Sequence, residues 1–142
     1  MSRLQQMFGM LKDKPGDEFI RGLVDRYRSL MSKGDLDGIV ALFAPDAHWE
    51  EPVGSSPSIG REAIRARYKA ALDASGGSIE MRADGAVRIA GHRAVFTSIA
   101  RVAPDGVPLD VESANVITCG DDGLITEMLV YVGPGNFKPA KV

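Results

Sequence analysis

Cysteine and histidine are scarce in this 142-residue chain, and their scarcity excludes several kinds of site. Cys119 is the only cysteine, so neither an internal disulfide nor a metal centre built on cysteines can form. The two histidines, His48 and His92, do not lie at the spacing of paired metal ligands. We therefore expect no bound metal and no other cofactor.

Strong charge of one sign and long apolar runs are also absent. The net charge is −2 and no basic block occurs, which argues against nucleic acid as the main partner. No apolar run reaches the roughly 20 residues of a membrane-spanning helix, and the N-terminus lacks the continuous apolar core of a signal peptide. We therefore expect a cytoplasmic protein without membrane segments. Residues 1–14 would be an N-terminal extension, and residues 15–142 a single domain.

The first half of the chain has the pattern of helices. Apolar residues at three- and four-residue steps predict a helix over residues 17–34. Asp35 is a typical cap for a second, shorter helix, which we expect to turn Phe43 inward and to end at Pro45. A third helix is predicted over residues 61–73. We interpret four of its basic residues as a solvated face: Arg61, Arg65, Arg67 and Lys69.

The second half alternates between apolar and polar residues, as half-buried strands do, and turn sequences rich in Gly, Pro and Asp separate the segments. Helices followed by a meander of strands predict an α+β fold, in which helices cover one face of a curved antiparallel sheet. The expected strands are residues 47–51, 79–90 (bent near residue 84), 94–103, 107–119 and 124–132.

Two adjacent carboxylates end the first predicted strand. Because side chains alternate along a strand, Glu51 shares the inward face with Ala47 and Trp49, whereas Glu50 faces solvent. Glutamate is rarely buried unless it is paired or has a function. An inward Glu51 is therefore a candidate for a chemical role.

Three more polar groups interrupt apolar faces. Asn115 lies on the apolar face of the long strand over residues 107–119, where its amide needs a partner or a ligand. Tyr27 and Tyr68 bring hydroxyl groups to the apolar stripes of the first and third predicted helices. Each of these residues could have a purely structural role. Their placement on facing elements nevertheless predicts one shared pocket.

Such a pocket has the groups needed to remove a proton next to a carbonyl. Burial raises the pKa of a carboxylate and makes it a better base, which is the role we assign to Glu51. A tyrosine hydroxyl and an amide N–H can both donate to an oxygen that gains negative charge. The enolate oxygen would then lie between Tyr27 and Asn115.

The segment GDLDGIVALFAPDAHWEEPVG, residues 34–54, resembles the steroid Δ5-3-ketosteroid isomerase family. The resemblance implies the cone-shaped fold of nuclear transport factor 2 (NTF2), with three helices and a curved sheet around a deep apolar pocket, and a homodimer. It implies that Glu51 moves the proton of a 3-oxo-Δ5-steroid, that Tyr27 donates to the dienolate oxygen and that Tyr68 supports Tyr27. Asn115 falls where the family has its second oxyanion donor.

This chain departs from the family pattern at two of these positions. The family base is normally an aspartate, and Glu51 is longer by one methylene; the second donor is normally a protonated aspartate, which Asn115 replaces by a neutral amide. We expect four further residues to bind the substrate or to support the catalytic groups: Trp49, Val53, Phe96 and Met128.

Other functions on the same fold remain open from the sequence. A polyketide cyclase, a dehydratase or an epoxide hydrolase would use a similar cavity with a different arrangement of polar groups. A non-catalytic module that binds a hydrophobic ligand would keep the cavity without needing Glu51. In every case the expected partner is a small hydrophobic molecule.

Overall fold

A computed structural model of the chain describes residues 1–141, and the three helices predicted from apolar stripes are present close to their expected positions. The main helix α2 buries one face and ends at Gly34, whose φ of 70° is left-handed and whose N–H caps the carbonyls of Leu30 and Met31. The short helix α1, which lies within residues 1–14, buries no side chain. The helices are α1 (Arg3–Phe8), α2 (Asp17–Lys33), α3 (Leu36–Ala41) and α4 (Arg61–Ala74).

The strands form one sheet with the order β2-β1-β7-β6-β5-β3, in which β4 adds to β5 and β8 adds to β6. Single 3-10 turns precede β6 and β8. The strands are β1 (Phe43–Glu50), β2 (Ser58–Ile59), β3 (Glu80–Ala83), β4 (Arg88–Ala90), β5 (Arg93–Val102), β6 (Leu109–Cys119), β7 (Ile125–Tyr131) and β8 (Phe137–Pro139).

The prediction of an α+β fold with a curved sheet is confirmed, with one difference in strand direction. β1 pairs with β7 in parallel, whereas the other pairs are antiparallel, so the sheet is mixed. The parallel pair arises because the helix α4 and the strands β3 to β6 separate β1 from β7 along the chain.

The structure also corrects three element boundaries. The helix α3 ends at Ala41, and Phe43 already belongs to β1, where it pairs with Ile125; Pro45 lies within the strand at an irregularity of the register. The expected strand over residues 79–90 is two strands, β3 and β4, which both pair with β5. The long strand β6 begins at Leu109 instead of residue 107.

The core lies between the sheet and the helices α2, α3 and α4. The buried residues of α2 meet side chains from the same face of β5, β6 and β7, and one contiguous apolar cluster results. Its largest fully buried members include Phe43, Phe96, Ile117 and Met128. The cluster fills one end of the space between sheet and helices, and the other end remains open as a cavity.

Candidate active site

An apolar cavity of about 360 Å³ opens between the sheet and the helices α2 and α4. Its volume falls in the range of small-molecule sites, roughly 300–1,000 Å³. Few polar side chains reach into it, and three of them are Tyr27, Glu51 and Asn115. The apolar lining includes Met31, Ile79, Ala100, Val102, Val111 and Val130.

Glu51 lies directly after β1 and lines this cavity, whereas Glu50 is not among the lining residues. Trp49, two residues earlier, also lines the cavity, as the alternation of the strand predicts. Burial raises the pKa of the Glu51 carboxyl, because the charged form loses solvation, and the positive charge of Arg67 lowers it in part. The carboxyl group is therefore a stronger proton acceptor than an exposed glutamate.

The hydroxyl groups of Tyr27 and Tyr68 form a hydrogen bond with each other in the wall of the cavity. The two oxygens are 2.8 Å apart, and either hydroxyl can be the donor. The Trp49 indole N–H donates to the Tyr68 oxygen at 3.2 Å, and the Tyr68 hydroxyl lies 3.6 Å from the Met128 sulfur. When Tyr68 turns its proton to Tyr27, the Tyr27 proton becomes available to a ligand in the cavity.

Burial and the charge of Glu51 raise the pKa values of both Tyr27 and Tyr68. Each hydroxyl therefore keeps its proton at neutral pH and acts as a hydrogen-bond donor.

Asn115 reaches the same cavity from the middle of β6, where it pairs with Phe96 of β5 and Val130 of β7. Its amide N–H donates weakly to the Met128 sulfur at 3.7 Å. An amide nitrogen has a second N–H, which can serve a ligand. The fully buried Met128 accepts from Asn115 and can accept from Tyr68 when the Tyr68 proton is not directed to Tyr27; it is not a lining residue of the cavity.

The other expected binding residues have different positions. Phe96 is buried edge-on against Tyr27, with ring centroids 6.1 Å apart, and is not a lining residue. Val53 follows the turn after Glu51, donates its backbone N–H to Val130, and lines a separate groove instead of this cavity. Trp49 is therefore in a position to contact a substrate directly. Val53 is not, because it lies in a turn that leads the chain away from the cavity.

Arg67 is a lining residue that the sequence interpretation missed. The sequence predicts a solvated position for Arg67, and the residue is exposed; in addition, its guanidinium carbon lies 5.1 Å from the centroid of the Trp49 ring and its N–H donates to the Glu51 carbonyl oxygen at 3.1 Å. The helical spacing could have indicated that Arg67 lines the cavity. It lies four residues before the cavity-lining Ala71, and residues four positions apart lie on the same face of a helix.

Across residues 1–141, no three His, Cys, Asp or Glu side chains come together as metal ligands. In the same range, no helix has the length and apolarity needed to cross a bilayer.

The curved sheet, the covering helices and the cavity between them define a domain of the NTF2-like class. Residues 24–128 match the SnoaL-like domain, and the chain belongs to this family. Over 117 residues it is 38% identical to a steroid Delta-isomerase of Nocardioides simplex, a match that covers 82% of this chain and 92% of that protein.

Two further similarities involve enzymes of another kind. The chain is 32% identical over 123 residues to the epoxide hydrolase LasB of Streptomyces lasalocidi; the match covers 84% of this chain but only 43% of that longer protein. The structure of the epoxide hydrolase/cyclase-like enzyme SalBIII, which acts in pyran ring formation in the polyether salinomycin, superposes with a TM-score of 0.77. The two sequences are 23% identical, and the superposition covers 84% of this chain and 95% of SalBIII. At this level of identity the similarity shows a shared fold. All three similar proteins are described as enzymes, which supports an enzymatic role for this chain.

Proposed function

We propose that the chain is an isomerase that moves a carbon–carbon double bond of a 3-oxo-Δ5-steroid, or of a similar ketone, into conjugation with the carbonyl. The observation that carries this proposal is the convergence of one partly buried carboxylate and two neutral donors on a single, largely apolar cavity. The similarity to a steroid Delta-isomerase over most of both chains supports the same choice.

The reaction needs one base and a site for a negative oxygen. The Glu51 carboxylate takes a proton from the carbon between the carbonyl and the double bond, and the electron pair of that C–H bond moves to form a dienolate. The dienolate oxygen accepts hydrogen bonds from the Tyr27 hydroxyl and the Asn115 amide. The Glu51 carboxyl then returns its proton to the far carbon of the former double bond, and the conjugated ketone leaves.

Apolar surroundings strengthen each of these steps. Apolar side chains make up much of the cavity lining, so hydrogen bonds to the dienolate act in a medium of lower dielectric constant than water. Tyr68 donates to the Tyr27 hydroxyl and accepts from the Trp49 N–H, so the Tyr27 donor is oriented before the substrate arrives.

The direct test is the conversion of 5-androstene-3,17-dione to its conjugated isomer, which is followed by the absorbance of the enone. We expect Glu51→Gln to lose most of the rate, because glutamine cannot accept the proton. Glu50→Gln is the matched control, since it removes the same charge from the neighbouring residue outside the cavity. A wild-type rate equal to that of buffer would remove the steroid assignment.

Hydrolysis of an epoxide is the second candidate, favoured by the similarity to LasB. In that reaction Glu51 would activate a water that opens the ring, and Tyr27 would donate to the epoxide oxygen. A cyclic apolar epoxide serves as the substrate, and mass spectrometry of the product detects the added water. Formation of a diol that requires Glu51, without any isomerase activity, would favour this candidate over the first.

We also propose that the chain forms a homodimer through the outward face of the sheet. On this face Val95 pairs with Val116, which pairs with Leu129, and Val95 is exposed. Size-exclusion chromatography with light scattering measures the mass directly, and the mass of a single chain at micromolar concentration would contradict the dimer.

A further inference from the structure

Arg67 gives the cavity a positive charge at its rim. The side chain is exposed, but two contacts hold it in place: the guanidinium group stacks on Trp49 with 5.1 Å between its carbon and the ring centroid, and one N–H donates to the Glu51 carbonyl oxygen at 3.1 Å. A guanidinium held in this way has lost part of its conformational freedom before any ligand binds.

Two of the three other cations on α4 have partners of opposite charge, and the third, Arg61, donates to the Phe43 carbonyl oxygen. Arg65 pairs with Asp37 at 2.7 Å, and Lys69 pairs with Asp73 at 2.6 Å. Arg67 forms no ion pair with any residue in the described range of 1–141. A guanidinium carries five N–H donors, so several remain available for an acceptor from outside the chain.

A purely apolar ligand gains little from this arrangement. A neutral ligand that covers Arg67 removes water from a guanidinium group whose charge acts on Glu51 without forming an ion pair with it, and this loss of hydration opposes binding. A ligand with a negative group replaces that water by charge-assisted hydrogen bonds, and the planar guanidinium fits the two oxygens of a carboxylate. The rim of the cavity therefore favours apolar molecules that carry an acidic group.

We infer that the natural substrate of this cavity is an apolar molecule with an acidic oxyanion group, in the simplest case a carboxylate, and that Arg67 binds this group. The inference rests on the proposed function in one respect, because it names the class of ketone that the isomerase would take. The stacked position of Arg67, which lines the cavity and has no ion-pair partner in the described range, carries it.

Equilibrium binding tests this inference without any reaction. The probes are 1-anilinonaphthalene-8-sulfonate and N-phenyl-1-naphthylamine, a pair of similar shape that differs by the sulfonate group. The fluorescence of Trp49, the only tryptophan, reports binding beside Arg67. Dissociation constants are measured for both probes with wild type, Arg67→Gln and Arg65→Gln, after circular dichroism has shown that all three are folded.

The preference is the ratio of the dissociation constants of the neutral and the sulfonate probe. We expect Arg67→Gln to reduce this ratio by about 5- to 20-fold, because the lost interaction should be stronger than an exposed ion pair and at most as strong as a charge-assisted hydrogen bond. Arg65→Gln removes the same charge outside the cavity and should leave the preference within about twofold, since solvent and salt screen exposed charges. An equal preference in wild type and Arg67→Gln would overturn the inference, as would failure of the sulfonate to bind the wild type. An inactive isomerase with an Arg67-dependent preference would refute only the proposed reaction.

Discussion

Replacement of Tyr27 by phenylalanine removes one oxygen atom and tests the proposed oxyanion site. If the Tyr27 hydroxyl donates to the dienolate, its loss should lower kcat by about 10²- to 10³-fold, the usual effect of deleting one such donor. The rate should not fall to zero, because the Asn115 amide still reaches the cavity and Glu51 is untouched. KM should change little, since the donor acts mainly on the charged intermediate.

The surrounding contacts indicate that the same substitution costs little stability. Tyr68 keeps the donated hydrogen bond from Trp49 at 3.2 Å and can direct its own proton to the Met128 sulfur at 3.6 Å, so no buried group is left without a partner. The ring of residue 27 also keeps its edge contacts with Phe96. We therefore expect a loss of about 1 kcal/mol for the missing hydrogen bond, and a decrease in Tm of about 2–6 °C.

Steady-state kinetics with 5-androstene-3,17-dione and thermal denaturation measure the two effects on the same samples. Tyr131→Phe is the matched control, because Tyr131 is exposed and is not part of the cavity lining. A kcat within threefold of wild type for Tyr27→Phe would show that this hydroxyl does not stabilise the intermediate. A large loss of Tm together with the loss of rate would assign Tyr27 a structural role instead.

Further expectations concern pH and the backbone. Because burial raises the pKa of Glu51, the rate should fall in acid with a midpoint above the ordinary glutamate pKa of about 4.3. Arg67→Gln should move this midpoint to higher pH, because it removes the positive charge that lowers the Glu51 pKa. If the pH–rate profiles of wild type and Arg67→Gln have the same midpoint, Arg67 does not act on Glu51 in this way. Since the Glu51 pKa is higher in the folded than in the unfolded state, the unfolded chain loses this proton at a lower pH. The free energy of unfolding therefore decreases as the pH rises from the unfolded-state pKa to the folded-state pKa. Glu51→Gln should therefore have a higher Tm than wild type at neutral pH, and the difference should disappear at a pH below the ordinary glutamate value. Gly34→Ala should destabilise the fold by more than about 1 kcal/mol in urea denaturation, because φ is 70° and a Cβ would lie 2.0 Å from the Gly77 carbonyl oxygen; an unchanged midpoint would refute this packing.

Periodicity alone was sufficient to predict the main elements and the side of the strand that Glu51 faces. Tyr27 and Asn115 interrupt apolar faces at the correct spacing, and the structure brings both to the cavity that Glu51 lines. These predictions succeeded because local alternation determines which face of an element turns inward. Their chemical roles remain proposals.

Features that depend on tertiary contacts were not visible in the sequence. The solvated interpretation of Arg67 rested on the surrounding basic residues, and only the position of Trp49 shows that its guanidinium is held against an aromatic ring. The start of β1 at Phe43 depends on the partner Ile125, far away in the chain. Local preference for helix continued through this point, and strand pairing overrode it.

The parallel pairing of β1 with β7 has a consequence for synthesis of the protein on the ribosome. His48 pairs with Glu127, about 80 residues later, so the edge of β1 that faces β7 has no strand partner until nearly the whole chain has been translated, although β2 can pair with the other edge earlier. Contacts of such separation form late and slowly. A nascent chain that has emerged only as far as Cys119 would still expose the apolar wall of its future binding site, and it would depend on protection from aggregation until the last strand arrives.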